Sequence, residues 1–409
     1  MYSQVYEIMD WGPVVSKLII NAGKKIDALP IESDTFAVTV KRTDPRIPGG
    51  TSLAGGTCKI RDIYVSDARG NKADRDAYIT LRLFYAPDYP LSSPMNLYEE
   101  RFGWINCAYR ITQQRNRWAI TKMPNEISTA GKIYRPQVDI FNLKNKISYT
   151  DSQFGNIPLG YADYKPRGAH GGSHFPLIIW LHGLGSGGTD ITLPISANRA
   201  CHFASAEVQA LFGEGAYVLV PQSPSFWMDE GKTIGEHDPI SSKYTRALKN
   251  LIDTYIDNNP GIDRSRIYIG GCSNGGYMTM VMILEYPDYF AAAFPVCSAA
   301  RDSRISDKQL RSIRSLPIWF TNAASDKAVA APLHSLATYD RMVKLGAPQV
   351  YYSYPRDVHD LYGHYTNAKG GPYEYSGHNS WIYVYNNALH QHIDGKDIGI
   401  LNWLALQSK

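Results

Sequence analysis

The chain has 409 residues, of which 44% are hydrophobic and 20% are charged, and its formal net charge is +4. This length suits two domains that each bury a core, and the composition is ordinary for globular proteins. The small net charge and the lack of a Lys/Arg run exclude a nucleic-acid-binding arm, and no apolar run approaches the ~20 residues that cross a bilayer. We therefore predict no nucleic-acid partner and no membrane partner.

The first ten residues lack the basic and then apolar pattern of a secretory signal. We expect a secreted protein whose signal has been removed, with a cytoplasmic location as the alternative. The five cysteines form no Cys-x-x-Cys pair, and their odd number argues against a disulfide framework. His, Cys and acidic residues show no metal-ligand spacing, so we predict no metal and no cofactor.

Short segments of alternating hydrophobicity dominate the first part of the chain. They include residues 36–40, 60–65, 79–83 and 104–109, in which apolar residues recur at every second position between clusters of Gly, Pro, Asp and Asn. This pattern is typical of half-buried antiparallel strands. We predict that residues 1–150 form a small β-sandwich.

The character of the sequence changes after this point. Buried strands now alternate with helices such as Ser241 to Asn258, which is typical of a mostly parallel sheet covered by helices on both faces. Residues 151–409 are therefore predicted to form an α/β domain.

A glycine-rich loop follows the first apolar strand of this domain, at Gly183 to Gly188. The glycines match the Gly-x-Gly-x-x-Gly fingerprint of dinucleotide-binding proteins, but that site also requires an acidic residue at the end of the next strand. Here the next strand ends in Pro221-Gln222-Ser223. We therefore favour a loop that supplies backbone N–H groups to an active site.

The segment Gly271-Cys-Ser-Asn-Gly275 lies between an apolar strand and a helix-like stretch. This is the Gly-x-Ser-x-Gly strand-turn-helix pattern of serine hydrolases, in which the nucleophile turn is strained and leaves no room for Cβ atoms beside the serine. The alternative is a glycine-rich connection with an incidental serine. The flanking strand and helix favour Ser273 as a nucleophile.

The acid and the base of such an enzyme follow the serine in that order. Asp326 follows a predicted strand in a loop of small residues, whereas its rivals Asp302 and Asp307 precede that strand. The next strand is followed by three histidines. We predict His378 as the base because it lies at a loop-to-helix junction, with His359 and His364 as the alternatives.

These residue types complement one another chemically. The imidazole of His378 removes the proton from the Ser273 hydroxyl, and the Asp326 carboxylate holds the ring in the tautomer that can do so. Backbone N–H groups must stabilise the developing oxyanion. We assign these to Asn274 and Leu184, with Gly185 as the alternative to Leu184.

Together these motifs resemble the α/β-hydrolase superfamily. Within it they resemble the bacterial esterase and peptidase branch that carries an N-terminal immunoglobulin-like domain. This branch is close to feruloyl esterases and polyhydroxybutyrate depolymerases. The stretches Asp10 to Pro13 and Asp34 to Val40 resemble that branch as well, so the resemblance spans nearly the whole chain. It implies the triad Ser273, Asp326 and His378. It also implies an α/β-hydrolase domain preceded by an all-β immunoglobulin-like sandwich. One departure is the long loop from Pro355 to Gly377, which we interpret as a lid or a substrate-contacting arm.

The substrate is inferred from aromatic residues in loops expected to border the site. They are Phe226, Trp227, Tyr362, Tyr365, Tyr373 and Tyr375. Such rings stack on sugar or phenolic rings, although they also serve as packing. We further expect substrate contacts from Trp227, Trp381 and His182. For His182, the alternative interpretation is a structural role.

Three functions follow from this reasoning. The leading hypothesis is a carboxylesterase acting on acyl or hydroxycinnamoyl esters of plant polysaccharide or on small esters. The alternatives are a serine peptidase of the prolyl-oligopeptidase type and a non-catalytic binding or scaffold protein. The N-terminal domain is expected to shape the rim of the site or to mediate homo-oligomer formation.

Overall fold

A computed structural model describes residues 1–28, 33–115, 125–169, 174–233, 235 and 238–409 of the chain. The chain divides into two units, Met1–Ile140 and Phe141–Lys409. Among the described residues, no helix is both long enough and apolar enough to span a bilayer.

The N-terminal unit is built from strands. They are β1 (Tyr2–Met9), β2 (Gly12–Asp27), β3 (Phe36–Thr43), β4 (Gly56–Cys58), β5 (Ile60–Ser66), β6 (Arg75–Leu83), β7 (Met95–Tyr98), β8 (Arg101–Trp104), β9 (Asn106–Gln113), β10 (Glu126–Ile127) and β11 (Ala130–Tyr134). One sheet has the order β11-β1-β2-β6-β5, a second has the order β10-β9-β3-β4, and β7 pairs with β8. The predicted strands at 36–40, 60–65 and 79–83 lie inside β3, β5 and β6, whereas the segment 104–109 is divided between β8 and β9.

The two sheets share one apolar core. Leu18 and Ile79 of the first sheet belong to the same buried cluster as Val38 and Tyr109 of the second. The Tyr2 hydroxyl crosses between the sheets and accepts a hydrogen bond from the backbone N–H of Tyr109 at 2.8 Å. Because the inner faces of both sheets bury apolar side chains against each other, this unit is a β-sandwich.

The second unit is organised around a mixed sheet of mostly parallel strands. Its strands are β12 (Asn142–Asp151), β13 (Gly155–Tyr164), β14 (Phe175–Leu181), β15 (Tyr217–Gln222), β16 (Ile262–Cys272), β17 (Ala292–Val296), β18 (Ile318–Thr321) and β19 (Val350–Ser353). Their order is β12-β13-β15-β14-β16-β17-β18-β19. Only the pairs β12/β13 and β13/β15 are antiparallel within this sheet as the structure describes it.

Helices and two small hairpins complete this unit. They are α1 (Thr192–Ser196), α2 (Ala206–Leu211), α3 (Thr245–Asp257), α4 (Asn274–Glu285), α5 (Asp307–Ser312), α6 (Ser335–Lys344), α7 (Trp381–Tyr385) and α8 (Ile400–Ala405), with hairpins β20 (Val358–His359)/β21 (Glu374–Tyr375) and β22 (His390–Ile393)/β23 (Lys396–Gly399). Every residue of β14 is buried, as expected for a central strand covered on both faces. The fold is that of an α/β-hydrolase.

The predicted domain boundary after residue 150 is wrong. Strand β12 runs to Asp151, and it pairs along its length with β13 of the second unit, so the units divide between Ile140 and Phe141. The strand alternates between exposed and half-buried residues because it forms the edge of the large sheet. This alternation is the same pattern that a sandwich strand shows, so the sequence alone does not reveal to which unit the strand belongs.

Close backbone packing occurs near the sheet centre, where β14 ends beside the first turn of α4. A Cβ atom added to Gly275 would collide with the backbone carbonyl of Leu181, and one added to Gly271 would lie 2.6 Å from the same oxygen. Only glycine permits this approach. The end of β14 and the turn between β16 and α4 are therefore held in direct contact.

This contact predicts an unusual result for Gly275→Ala. In an open helix the substitution would stabilise by about 1 kcal/mol, but here we expect the collision to dominate and lower the free energy of unfolding by about 2 kcal/mol or more. Gly160→Ala is the control, since its added Cβ would lie 4.0 Å from the nearest atom and the strand gains rigidity. Thermal unfolding of both variants tests this, and equal midpoints would contradict it.

Candidate active site

Ser273 lies at the turn between β16 and α4 with strained backbone angles, φ 57° and ψ −113°. A serine rarely adopts a positive φ, which persists only where the surroundings enforce it. Its N–H donates to the carbonyl of Val296 at 2.9 Å, and its own carbonyl accepts from Tyr277 at 2.9 Å and Ala299 at 3.2 Å. These bonds hold a partly exposed hydroxyl at the carboxyl end of the parallel strands.

Asp326 lies in the loop after β18, and its side chain has no exposed surface. One carboxylate oxygen, Oδ1, accepts hydrogen bonds from the backbone N–H groups of Ala328 at 2.9 Å and Val329 at 3.0 Å. The other, Oδ2, lies 2.9 Å from Nδ1 of His378. Burial alone would raise the pKa of Asp326, but the hydrogen bonds from His378 and the two amides outweigh it and lower this pKa.

His378 lies in a short 3-10 turn, Gly377–Asn379, directly before α7. A Cβ on Gly377 would lie 2.6 Å from the backbone nitrogen of Asp326, so the loops that present the acid and the base pack closely. The imidazole is 20% exposed, and its edge packs on the ring of Trp381 at 5.7 Å. Because the carboxylate accepts at Nδ1, the proton resides there and Nε2 keeps its lone pair.

The alternative acids and bases have other partners. Asp302 and Asp307 pair with Arg341 at 2.9 Å and 2.6 Å. His359 lies 2.9 Å from both Asp357 and the Tyr383 hydroxyl, and His364 stacks on the exposed ring of Tyr362. The structure thus joins Asp326 with His378, the pair chosen from the sequence, and leaves the other candidates in separate contacts.

A buried cysteine that the sequence did not indicate lies beside this pair. The ligand atoms of Cys297, Asp326 and His378 all lie within 4.8 Å of one another. Cys297 has no exposed surface, and burial raises the pKa of its thiol well above the ordinary value. Cys272 behaves similarly, since burial raises its pKa to about 12, and all five cysteines are free and buried. Both thiols next to Ser273 therefore stay protonated and unreactive.

The glycine-rich segment 183–190, here named the oxyanion loop, begins at the end of β14. Its first turn is a 3-10 helix over Leu184–Ser186, while Asn274 begins α4. The first N–H groups of α4 have no acceptor within that helix and can bind an anion. Leu184 lies in the turn that follows β14, and its role as the second oxyanion donor stays a prediction from the sequence.

His182 has a structural role, which corrects the prediction that it contacts substrate. The residue has no exposed surface. Its Nε2 lies 3.1 Å from the backbone N–H of Ser223, which can only donate, so the proton resides on Nδ1 and is donated to the Gly183 carbonyl at 2.7 Å. The ring therefore fastens the start of the oxyanion loop to the end of β15.

Trp227 is likewise buried rather than available to substrate. Its ring lies between those of His182, at 5.1 Å, and Tyr244, at 5.9 Å, and the residue has no exposed surface. Its backbone N–H donates to Oδ1 of Asn274 at 2.6 Å. In the sequence, an aromatic residue in a loop looks like a substrate contact, but Trp227 packs into the core.

Trp381 is mostly buried as well. It is 7% exposed, which leaves it only a small surface beside His378.

The long loop from Pro355 to Gly377 forms a structured arm based on the β20/β21 hairpin. Asp360 is buried in it, where Oδ2 accepts from the backbone N–H groups of His364 at 2.7 Å and Tyr365 at 3.3 Å. Among the aromatic residues of the arm, Tyr362 is 60% exposed whereas Tyr375 is buried. The arm thus presents the exposed ring of Tyr362 and leads directly into His378.

Two family models match the chain. Residues 1–119 match an esterase Ig-like N-terminal domain, and residues 169–345 match the phospholipase/carboxylesterase family. A solved structure described as a thermostable esterase is 24% identical and superposes with a TM-score of 0.76, covering 100% of this chain and 99% of that one. This likeness shows that both units share its fold.

Two curated proteins are similar over part of the chain. Poly(3-hydroxyalkanoate) depolymerase C of Paucimonas lemoignei is 30% identical over 154 residues, which are 36% of this chain and 33% of that protein. Acetylxylan esterase A of Emericella nidulans is 24% identical over 148 residues, 33% of this chain and 46% of that protein. The chain thus spans between a third and a half of these relatives.

The lowered pKa of Asp326 predicts a pH-dependent contribution to stability. A carboxyl whose pKa is lower in the folded state stabilises above its ordinary pKa of 3.8, and this contribution is lost as pH falls through the native value. We expect Asp326→Asn to lower the free energy of unfolding by about 1–3 kcal/mol at pH 7, because the charge is removed and an NH2 group, which cannot accept a hydrogen bond, replaces one of the two buried acceptor oxygens. The difference from wild type should shrink below about pH 4.

Denaturant unfolding between pH 7 and pH 3 measures this difference. The exposed Asp340 on α6 offers a control, and Asp340→Asn should stay within about 0.5 kcal/mol of wild type. A constant difference between wild type and Asp326→Asn across this range would show that the carboxylate is not stabilised as described.

Proposed function

The chain belongs to the α/β-hydrolases that carry an esterase Ig-like N-terminal domain, and from this premise we propose that it is a serine carboxylic ester hydrolase. The single observation that supports this most strongly is the contact between the buried carboxylate of Asp326 and the imidazole of His378, 2.9 Å apart. This pair lies in the same domain as a serine held at a positive φ between β16 and α4. A strained serine and an oriented imidazole are what nucleophilic catalysis requires.

The proposed reaction forms an acyl-enzyme in its first half. The Ser273 hydroxyl attacks the carbonyl carbon of the ester, and Nε2 of His378 takes the hydroxyl proton. The carbonyl oxygen becomes an oxyanion, which the backbone N–H groups of Leu184 and Asn274 stabilise. When the intermediate collapses, the C–O bond to the alcohol breaks, and the alcohol leaves with the proton from His378.

The second half repeats these steps with water. His378 takes a proton from a water molecule, whose oxygen attacks the acyl carbon, and the same N–H groups stabilise the second oxyanion. Collapse releases the carboxylic acid and returns the proton to Ser273. Asp326 keeps the imidazole in one tautomer and stabilises the imidazolium in both halves. No step uses a metal or a cofactor.

For the substrate, we propose acyl or hydroxycinnamoyl esters of plant polysaccharide. One of the partial relatives is an acetylxylan esterase, and the open ring of Tyr362 on the arm could stack on a sugar or phenolic ring. The other curated relative, poly(3-hydroxyalkanoate) depolymerase C, acts by its name on a polyester, which is also a carboxylic ester. Secretion, a homo-oligomer formed through the N-terminal domain and a peptidase activity stay predictions from the sequence.

Ester and amide turnover by purified protein tests this proposal. We expect hydrolysis of p-nitrophenyl esters of graded acyl length and of methyl hydroxycinnamates, with little action on p-nitroanilide peptides. Ser273→Ala should fold normally and lose roughly 10⁴- to 10⁶-fold in kcat, because it removes the central member of a cooperative set. Wild-type activity in this variant would refute the proposal, and comparable amide turnover would favour the peptidase.

The two histidine candidates provide a matched pair in the same assay. Both contact a carboxylate at 2.9 Å, but only His378 is joined to Asp326. His378→Ala should resemble Ser273→Ala, and His359→Ala should stay near wild type. The opposite order of effects would make His359 the base. A wild type that turns over none of the substrates would favour a binding protein or a covered site.

A further inference from the structure

The oxyanion loop is fastened to the end of the neighbouring strand β15 by a buried glutamine. Gln222 is 1% exposed, and its side-chain nitrogen Nε2 donates to the backbone carbonyls of Ser186 at 2.9 Å and Asp190 at 3.0 Å. Both N–H bonds of the amide are thus used on the same loop. Two carbonyl groups on opposite sides of a glycine-rich turn are thereby held at a fixed separation.

Ser223 strengthens the same connection through its backbone. Its carbonyl accepts from the N–H of Gly188 at 2.9 Å, and its N–H donates to Nε2 of His182 at 3.1 Å. Both Ser223 and His182 have no exposed surface. Residues 182 to 190 are therefore joined to Gln222 and Ser223 at four points, and the side chain of Gln222 supplies two of them.

Glycine-rich segments have little intrinsic preference for one conformation, so this loop needs outside support. A catalytic N–H group must also be held close to its productive position, because oxyanion stabilisation depends on donors that are in place before charge develops. A carboxylate at position 222 could not replace the amide, since it has no N–H and would face two carbonyl oxygens. The chemistry therefore explains an amide side chain here.

We propose that Gln222 is a positioning residue for the oxyanion hole. By fixing the loop, Gln222 holds Leu184 so that the backbone N–H of Leu184 meets the developing negative charge. This inference rests on the proposed function. Gln222 does not touch the substrate; it acts through the loop whose carbonyls at Ser186 and Asp190 it binds. Its contribution therefore belongs to the transition state rather than to substrate binding.

Gln222→Met tests the proposal, because methionine has similar length and no donor. Removal of one oxyanion donor lowers kcat by about 10²- to 10³-fold, and since this variant displaces a donor we expect roughly a 10- to 100-fold loss. KM should stay within about twofold, because binding of the uncharged substrate does not use the oxyanion donors. Rates are counted per active site by titration with a chromogenic ester, so that loss of folded protein does not imitate the effect.

Gln209 offers a matched control in the same domain. Its Nε2 donates to the Phe203 carbonyl at 2.8 Å and its Oε1 accepts from Ala216 at 2.9 Å, so it also joins a side-chain amide to backbone, but at α2. Gln209→Met can lower the thermal midpoint, yet it should leave kcat per site unchanged. A stability effect alone would appear in both variants.

A transition-state analogue separates the remaining outcomes. An aryl trifluoromethyl ketone adds to the serine and forms an oxyanion, so its inhibition constant for Gln222→Met should rise by the factor by which kcat/KM falls. Equal kcat per site and equal inhibition constants for the two glutamine variants would overturn the positioning role. A wild type that neither hydrolyses esters nor binds the ketone would instead refute the proposed function.

Discussion

The arrangement of the site depends on one backbone contact, between the end of β14 at Leu181 and the first turn of α4 at Gly275. No side chain fits between them, and a Cβ atom on Gly275 would overlap the carbonyl of Leu181. The oxyanion loop begins two residues after Leu181, and Ser273 lies directly before α4. The two segments that must meet a single carbonyl group are therefore brought together by the close packing of adjacent strands.

Long-range polar contacts then fix the loops around this contact. The loop after β15 is joined to α4 through Trp227 and Asn274, and again through Glu230, whose Oε1 lies 2.8 Å from the Tyr277 hydroxyl and 2.7 Å from Arg304. The side chain of Glu230 has no exposed surface. Removing the Asn274 side chain would take away the acceptor of the buried Trp227 N–H, and an unsatisfied buried donor costs more than the bond itself contributes.

Local sequence patterns predicted the α/β-hydrolase domain well. The turn at Ser273 needs glycine at both sides and a strand and helix around it, and all of these are neighbours in sequence. The pair Asp326 and His378 was inferred from chain order and from the predicted elements around each residue, and the structure places them in contact. Residues 382–389 have a helix-compatible sequence, but α7 ends at Tyr385, and Asn387 then adopts a positive φ of 50°.

Errors arose where the outcome depends on distant parts of the chain. Alternation in residues 142–151 predicts a strand but does not say which sheet it joins. Trp227 and His182 looked available to substrate because the burial of a loop residue is decided by what packs over it. Gln222 was noted only as the absence of an acid, since its hydrogen-bond partners lie more than thirty residues earlier in the chain.

The central claim is that Ser273 is activated as a nucleophile by His378. Its most direct measurement is labelling with a fluorophosphonate, which reacts with a serine hydroxyl that a neighbouring base activates, followed by intact mass and peptide mapping. The account predicts one adduct per chain, on the peptide that contains Ser273, and a greatly reduced rate in His378→Ala. A folded wild type that forms no adduct, or an adduct on a different serine, would contradict it.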